Sequence, residues 1–137
     1  LLKRHELLFN PSFSDNDHFA AAEYFPEGGS ALHIDEDRVI APDSLQIVET
    51  AWIGNHIFTT AISDNGFGIY SYDGIWKTVL EPQPVKIKDF KSYGNELMFT
   101  CDRTGVNELY HFYPSNIIYY STKYFYCAKT LDFRLMW

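Results

Sequence analysis

The side chains able to do chemistry in this sequence are spread along the chain rather than gathered into a motif. No GxSxG string is present, and the nearest, Gly28-Gly29-Ser30, follows Pro26-Glu27 in a run that reads as a hairpin turn rather than a nucleophile elbow. HExxH is absent, and the histidines His5, His18, His33, His56 and His111 fall one or two at a time. His33-Ile34-Asp35 sets two ligand types on one strand face, since residues i and i+2 share a face, but no third or fourth ligand is placed beside them. Asp35-Glu36-Asp37 lacks the spaced oxygens and glycine of a calcium loop and reads as a solvated hairpin. No catalytic residue, metal or cofactor is therefore assigned.

Four residues remain as binding candidates. Asp102-Arg103 is the sharpest polar pair: Asp102 suits a carboxylate accepting backbone N–H groups across the Thr104-Gly105 turn, and Arg103 suits a tie between repeat edges. The other use of that pair is an ion pair facing a ligand. Trp52 and Trp76 suit packing between sheets, or a platform on which a sugar ring stacks. Cys101 and Cys127 form no CxxC pair; both lie in apolar, strand-like surroundings, which suits a buried free thiol, with a disulfide the other reading.

These residues need a frame, and the composition points to an all-β one. At 137 residues the chain has the length of one ordinary domain. Its 18% aromatic content, with ten Tyr and eleven Phe, favours pleated, half-buried strands. Of the formal charge of −7, the segment after Pro114 contributes Lys123, Lys129 and Arg134 against Asp132, so the preceding body is more acidic still. An acidic body repels phosphate backbones, which argues against a nucleic-acid partner. No run of eighteen apolar residues is present to make a membrane span. The opening LLKRHELLFNPSF lacks the charged-then-apolar design of a signal peptide and begins on Leu1, so an excerpt or a processed product is expected.

The frame repeats. Residues 17–35, 55–73 and 95–113 align without gaps at offsets of 38 and 40, matching His18 with His56, Gly28 with Gly66, Ile34 with Tyr72, and then Ile57 with Leu97, Ile69 with Leu109 and Tyr70 with Tyr110. A period near 40 suits a four-stranded blade or a helical repeat, and the alternation inside the unit decides for strands. Turn signals at Asp64-Asn65-Gly66, Gly54-Asn55 and Gly94-Asn95 agree. In the second unit the strands are expected over residues 47–53, 56–62, 67–72 and 75–80, with Glu81-Pro82-Gln83-Pro84 ending the ladder. The expected architecture is an open, partial β-propeller of about three consecutive four-stranded antiparallel blades: residues 8–43, 44–83 and 84–122, then a divergent or truncated tail over 123–137. The outer strand of the last blade is expected over 117–122. Blades bury their faces only against neighbours, so both ends call for further blades or a partner chain.

Phe99-Thr100-Cys101-Asp102-Arg103-Thr104-Gly105 followed by Leu109-Tyr110 resembles the blade motif of TolB-like and tricorn-type propellers, and Asn10-Pro11-Ser12-Phe13-Ser14-Asp15 resembles the start of the same blades. Cys101 stands where serine is usual, and the second unit has Ala61-Ile62-Ser63-Asp64 in place of the Asp-Arg pair. The resemblance covers about residues 8–120. It is to six-bladed propellers, including those in exported multidomain proteins of Bacteroidetes and those that cap prolyl-oligopeptidase-type hydrolases. It implies a periplasmic or extracellular, non-enzymatic scaffold that binds a protein, a peptide or a glycan. The alternative it implies is a propeller that gates substrate entry to a peptidase domain absent from this sequence.

Overall fold

The computed structural model describes residues 7–43 and 45–112, and these form three antiparallel sheets following one another along the chain, with no helix and no closed barrel. The first holds β1 (Leu8–Phe13), β2 (Phe19–Tyr24), β3 (Ser30–Ile34) and β4 (Asp37–Ile40). The second holds β5 (Gln46–Ile53), β6 (His56–Ser63), β7 (Gly66–Tyr72) and β8 (Trp76–Gln83). The third holds β9 (Ile87–Tyr93), β10 (Glu96–Cys101) and β11 (Glu108–Phe112). Within each sheet, spatial order follows chain order. The expected strand over 117–122 and the tail lie outside the described residues.

Local chemistry accounts for the hairpins. Gly54 and Gly94 take positive φ at the first of two turn residues, so Ile53 pairs with His56 and Tyr93 with Glu96 with no slack in either loop. Two expectations need correction. The β2–β3 connection is one residue longer than β6–β7, because Tyr24 pairs with Ser30 across five residues while Ile62 pairs with Phe67 across four. The gapless match therefore slips: Ile34 is the structural counterpart of Ser71, not Tyr72, and Leu32 that of Ile69. Side chains alternate faces, so this single residue decides which way β3 presents every side chain. The second correction is at β8, which continues through Pro82 to Gln83. Being the outermost strand of its sheet, it tolerates a proline there.

The sheets stack face to face. Ala20, Ala22 and Leu32 of the first meet Ile47, Trp52, Ile57 and Tyr70 of the second. Phe58, Ile69 and Leu80 of the second meet Leu97, Phe99 and Tyr110 of the third. Coverage on both sides is visible in β6, where Ile57 through Ala61 are all buried. By contrast β10 buries Leu97, Phe99 and Cys101 but leaves Glu96, Met98 and Thr100 partly open, as a strand covered on one face does.

At one end of the stack Glu23 sits between Arg38 (2.7 Å) and His33 (2.8 Å), and the hydrogen bond from Arg38 holds its carboxyl below the usual range. Asp35 is held low as well, chiefly by the Phe19 N–H at 2.9 Å, with His18 a lesser contributor. Carboxyls with folded pKa values below their unfolded ones stabilise the fold above the unfolded values and lose that stabilisation as pH falls through the folded ones. Thermal melts should therefore fall steeply from about pH 4 downward. In Glu23→Gln the step should be smaller, by about 1 kcal/mol; an unchanged acid limb would show that the first sheet does not set it.

Candidate functional site

The first strand of each sheet, β1, β5 and β9, is an edge strand, and the three lie side by side. Edge strands carry unpaired backbone groups, which a stable protein must cover. Here the covering groups come from the neighbouring sheet. The Asn10 amide donates to the Val48 carbonyl, Thr50 Oγ1 donates to the Asn10 carbonyl at 3.3 Å, and the Phe90 N–H donates to the Glu49 carboxylate at 3.3 and 3.4 Å. The Ser12 and Thr50 hydroxyls pair at 2.5 Å. Each inner strand also carries a bulge: between Phe9 and Ser12, between Ile47 and Glu49, and opposite Met98 and Thr100. Asn10 (φ 52°) and Asp89 (φ 57°) take the left-handed conformation at two of these, as short polar residues do at little cost. The bulges turn side chains across to the next sheet, and the strands are stitched at intervals near the repeat length.

Between these strands runs an open groove of about 600 Å³, lined by Asn10, Ser12, Phe13, Glu49, Thr50, Trp52, Phe90 and Lys91 among others. Glu49 is its distinctive group. Burial pushes its carboxyl up; the Phe90 N–H, the Lys91 charge and the Asp89 N–H work against that push, and the negative charge of Asp89 adds to it. An acid with a raised folded pKa makes stability fall as pH rises from about 4.5 through the raised value. Ionised Glu49 is thus a cost to the fold at neutral pH, as chemically poised groups in clefts often are. Glu49→Gln, whose amide oxygen still accepts the Phe90 N–H, should raise stability at pH 7 by about 1 kcal/mol or less and leave pH 4 unchanged. Urea melts at the two pH values check this.

The four residues singled out from the sequence lie in three separate places. Trp52 is buried at the floor of the groove, with the His18 ring stacked on it at 5.9 Å and its indole N–H without a hydrogen-bond partner. Trp76 stands on β8, donates to the Ile40 carbonyl of the first sheet at 3.2 Å and packs on Tyr72 at 5.1 Å. It lines a second hollow of about 440 Å³ with Asp43, Asn65 and Glu81. Asp102 accepts the Lys86 N–H at 2.8 Å, while its backbone carbonyl, rather than its carboxylate, closes the turn to Gly105 at 2.9 Å. Arg103 donates to Gln83 at 2.9 Å, joining the third sheet to the second.

The other groups resolve similarly. Ser30 is buried, donates to the Leu45 carbonyl and accepts from the Ile47 N–H, which fixes the passage from the first sheet to the second. His33 turns to Glu23, whereas Asp35 lies in the following turn and bonds His18, so the two do not converge. Among the described residues no three His, Cys, Asp or Glu side chains group as metal ligands do. Cys101 is fully buried on the covered face of β10, and Cys127 lies outside the described residues. Glu49 went unnoticed in the sequence. The available signal was a carboxylate in the middle of QIVETAWI, a strand whose other residues are apolar except for Gln46 and Thr50.

The fold and groove together define an open array of antiparallel sheets whose inner edges line one polar cleft. No family model matches the chain, and no curated protein matches it.

Proposed function

We propose that this chain is a non-enzymatic scaffold segment of β-propeller type, TolB-like or tricorn-type in its blades, that works in the periplasm or outside the cell as part of a larger exported protein. It binds a protein, peptide or glycan partner along the inner groove. The observation that carries this reading is the partly desolvated Glu49 carboxylate, held in a cleft shared by three consecutive sheets. A carboxylate flanked by hydroxyls of Ser12 and Thr50, an amide of Asn10 and the ammonium of Lys91 offers acceptors and donors together, which suits a polar chain or a hydroxyl-rich ligand better than an apolar one. Trp52 is too covered to act as a stacking platform, so hydrogen bonding carries the recognition.

Peptide and glycan arrays probed with the unmodified chain and with Glu49→Gln test this reading. A retained ligand whose binding drops at least about tenfold in the variant supports it, that being the scale of one charge-assisted hydrogen bond. Binding that ignores Glu49, or an absence of any ligand on both arrays, overturns it.

A further inference from the structure

The second hollow lies between the first and second sheets, and its walls are fixed. One wall is the connection from β4 to β5. There the Ala41 N–H donates to the Ser30 carbonyl at 3.0 Å and the Leu45 N–H to the Pro42 carbonyl at 3.1 Å, while the buried Ser30 hydroxyl holds the Leu45 carbonyl. Asp43 takes the left-handed conformation (φ 47°) in this connection and is exposed. The other wall is β8, where the Trp76 indole is pinned to the Ile40 carbonyl at 3.2 Å. Fixed walls spare a ligand the cost of ordering them. The volume of about 440 Å³ is that of a ligand cleft, for which roughly 300–1,000 Å³ is usual.

A buried hydroxyl in this hollow is left over. Tyr70 lines it and is only 6% exposed, yet its hydroxyl makes no hydrogen bond with another described residue. The phenol lies back over Gly68, where a Cβ would stand 2.9 Å from the phenol oxygen, so the glycine is what makes room for it. Burial, and after it the negative charge of Glu81, push the phenol up from its ordinary value, so at neutral pH it is an O–H donor. Glu81 on β8 and Asp43 on the opposite wall are exposed carboxylates, and neither pairs with a cation among the described residues. Lys77, the basic residue of the described lining, is drawn to Asp73 at 3.8 Å.

We propose that this hollow receives an arginine side chain of a protein or peptide partner, its guanidinium taken by the Asp43 and Glu81 carboxylates and the Tyr70 hydroxyl donating to a backbone carbonyl of the same partner. A planar cation on an apolar stem suits two carboxylates beside the Trp76 and Tyr70 rings, with Pro42 and Pro82 in the same lining. Arginine fits better than lysine, because its fork matches a carboxylate in two bonds, stacks on aromatic faces and gives up its water more readily. A neutral sugar would leave both carboxylate charges uncompensated. The formal charge of −7 steers a basic partner toward the chain from a distance. The hollow shares no lining residue with the inner groove, so it stands whether or not Glu49 binds anything.

Two probes suffice: a capped glycine pentapeptide with arginine at its centre, and the same peptide with citrulline, which keeps the shape and loses the charge. Each is titrated into the full isotope-labelled chain and followed by NMR at the Trp76 indole N–H. The arginine peptide should shift that signal saturably, and the citrulline peptide should bind at least about tenfold more weakly. Glu81→Gln should weaken the arginine peptide about tenfold, whereas Glu36→Gln, which removes the same charge from an exposed turn, should change it by less than about twofold. Tyr70→Phe should weaken it about fivefold and leave the melting temperature unchanged, because the lost hydroxyl makes no bond in the free chain. Glu49→Gln should leave this binding intact, so failure here and failure of the groove reading are separate results. Absence of a saturable shift at Trp76 in the folded chain overturns the proposal. Equal affinities for the two peptides, or equal losses from Glu81→Gln and Glu36→Gln, overturn it too, since they mark diffuse attraction to an acidic surface. A neutral glycan that shifts Trp76 where the arginine peptide does not overturns the choice of ligand.

Discussion

Gly66→Ala should cost the fold about 3–5 kcal/mol, the sum of a backbone conformation reserved for glycine and an overlap that cannot relax. Gly66 opens β7 at φ 110°, and a Cβ there would lie 1.9 Å from the Gln83 carbonyl oxygen and 2.5 Å from its carbon. Both atoms belong to the end of β8, where Gln83 is held opposite Phe67 and followed by Pro84. A loss of that size is a large share of the roughly 5–15 kcal/mol that stabilises a typical domain. Gly74 provides the control, because it has nearly the same φ (102°) but nothing within 4 Å of its Cβ position. Gly74→Ala should cost about 1–2 kcal/mol from backbone strain alone. Denaturant melts of the two variants separate strain from overlap; equal losses would mean that the end of β8 does not press on β7.

Gly66 also shows what could be read from residues alone. Its place after Asp64-Asn65 marked a hairpin, because positive φ is a local demand that composition reveals. The same local logic placed the four strands of the second unit, and only β8 differed materially, its proline being harmless on an outer edge. The slip between the first and second units was hidden because the extra residue in Phe25–Gly29 preserves a glycine near the expected place. Only the pairing partners expose it.

The site was less legible, for a physical reason. Trp52, Trp76, Asp102 and Arg103 stood out by residue type, yet each is engaged with a neighbouring sheet or turn. Glu49 and Asn10 acquire their significance from bulges on edge strands that meet only when the sheets stack. Such stacking is non-local, and a single sequence encodes it diffusely. Glu23 and His33 look like ordinary strand polar residues until pairing shows that they occupy the positions of Ala61 and Tyr70.

Phe99→Ala should cost about 3–5 kcal/mol, as deletion of a fully buried aromatic does, and the loss should be unevenly distributed. Phe99 is completely buried on the covered face of β10, with its ring 5.8 Å from that of Tyr110 and nearly parallel to it, against the second sheet. Each sheet in a linear array draws its stability from its neighbours, so emptying this contact loosens the third sheet first and the second through its exposed face, while the first keeps its contact with Trp52 and Ile57. Amide exchange should accelerate most in β9–β11, less in β6 and β7, and least in β2 and β3. Leu109→Ala, on the opposite face of the same sheet and already 36% exposed, should cost under about 1 kcal/mol and leave that ordering unchanged. If Phe99→Ala instead accelerates exchange equally in all three sheets, the chain unfolds as one cooperative body and the nearest-neighbour account of its stability fails.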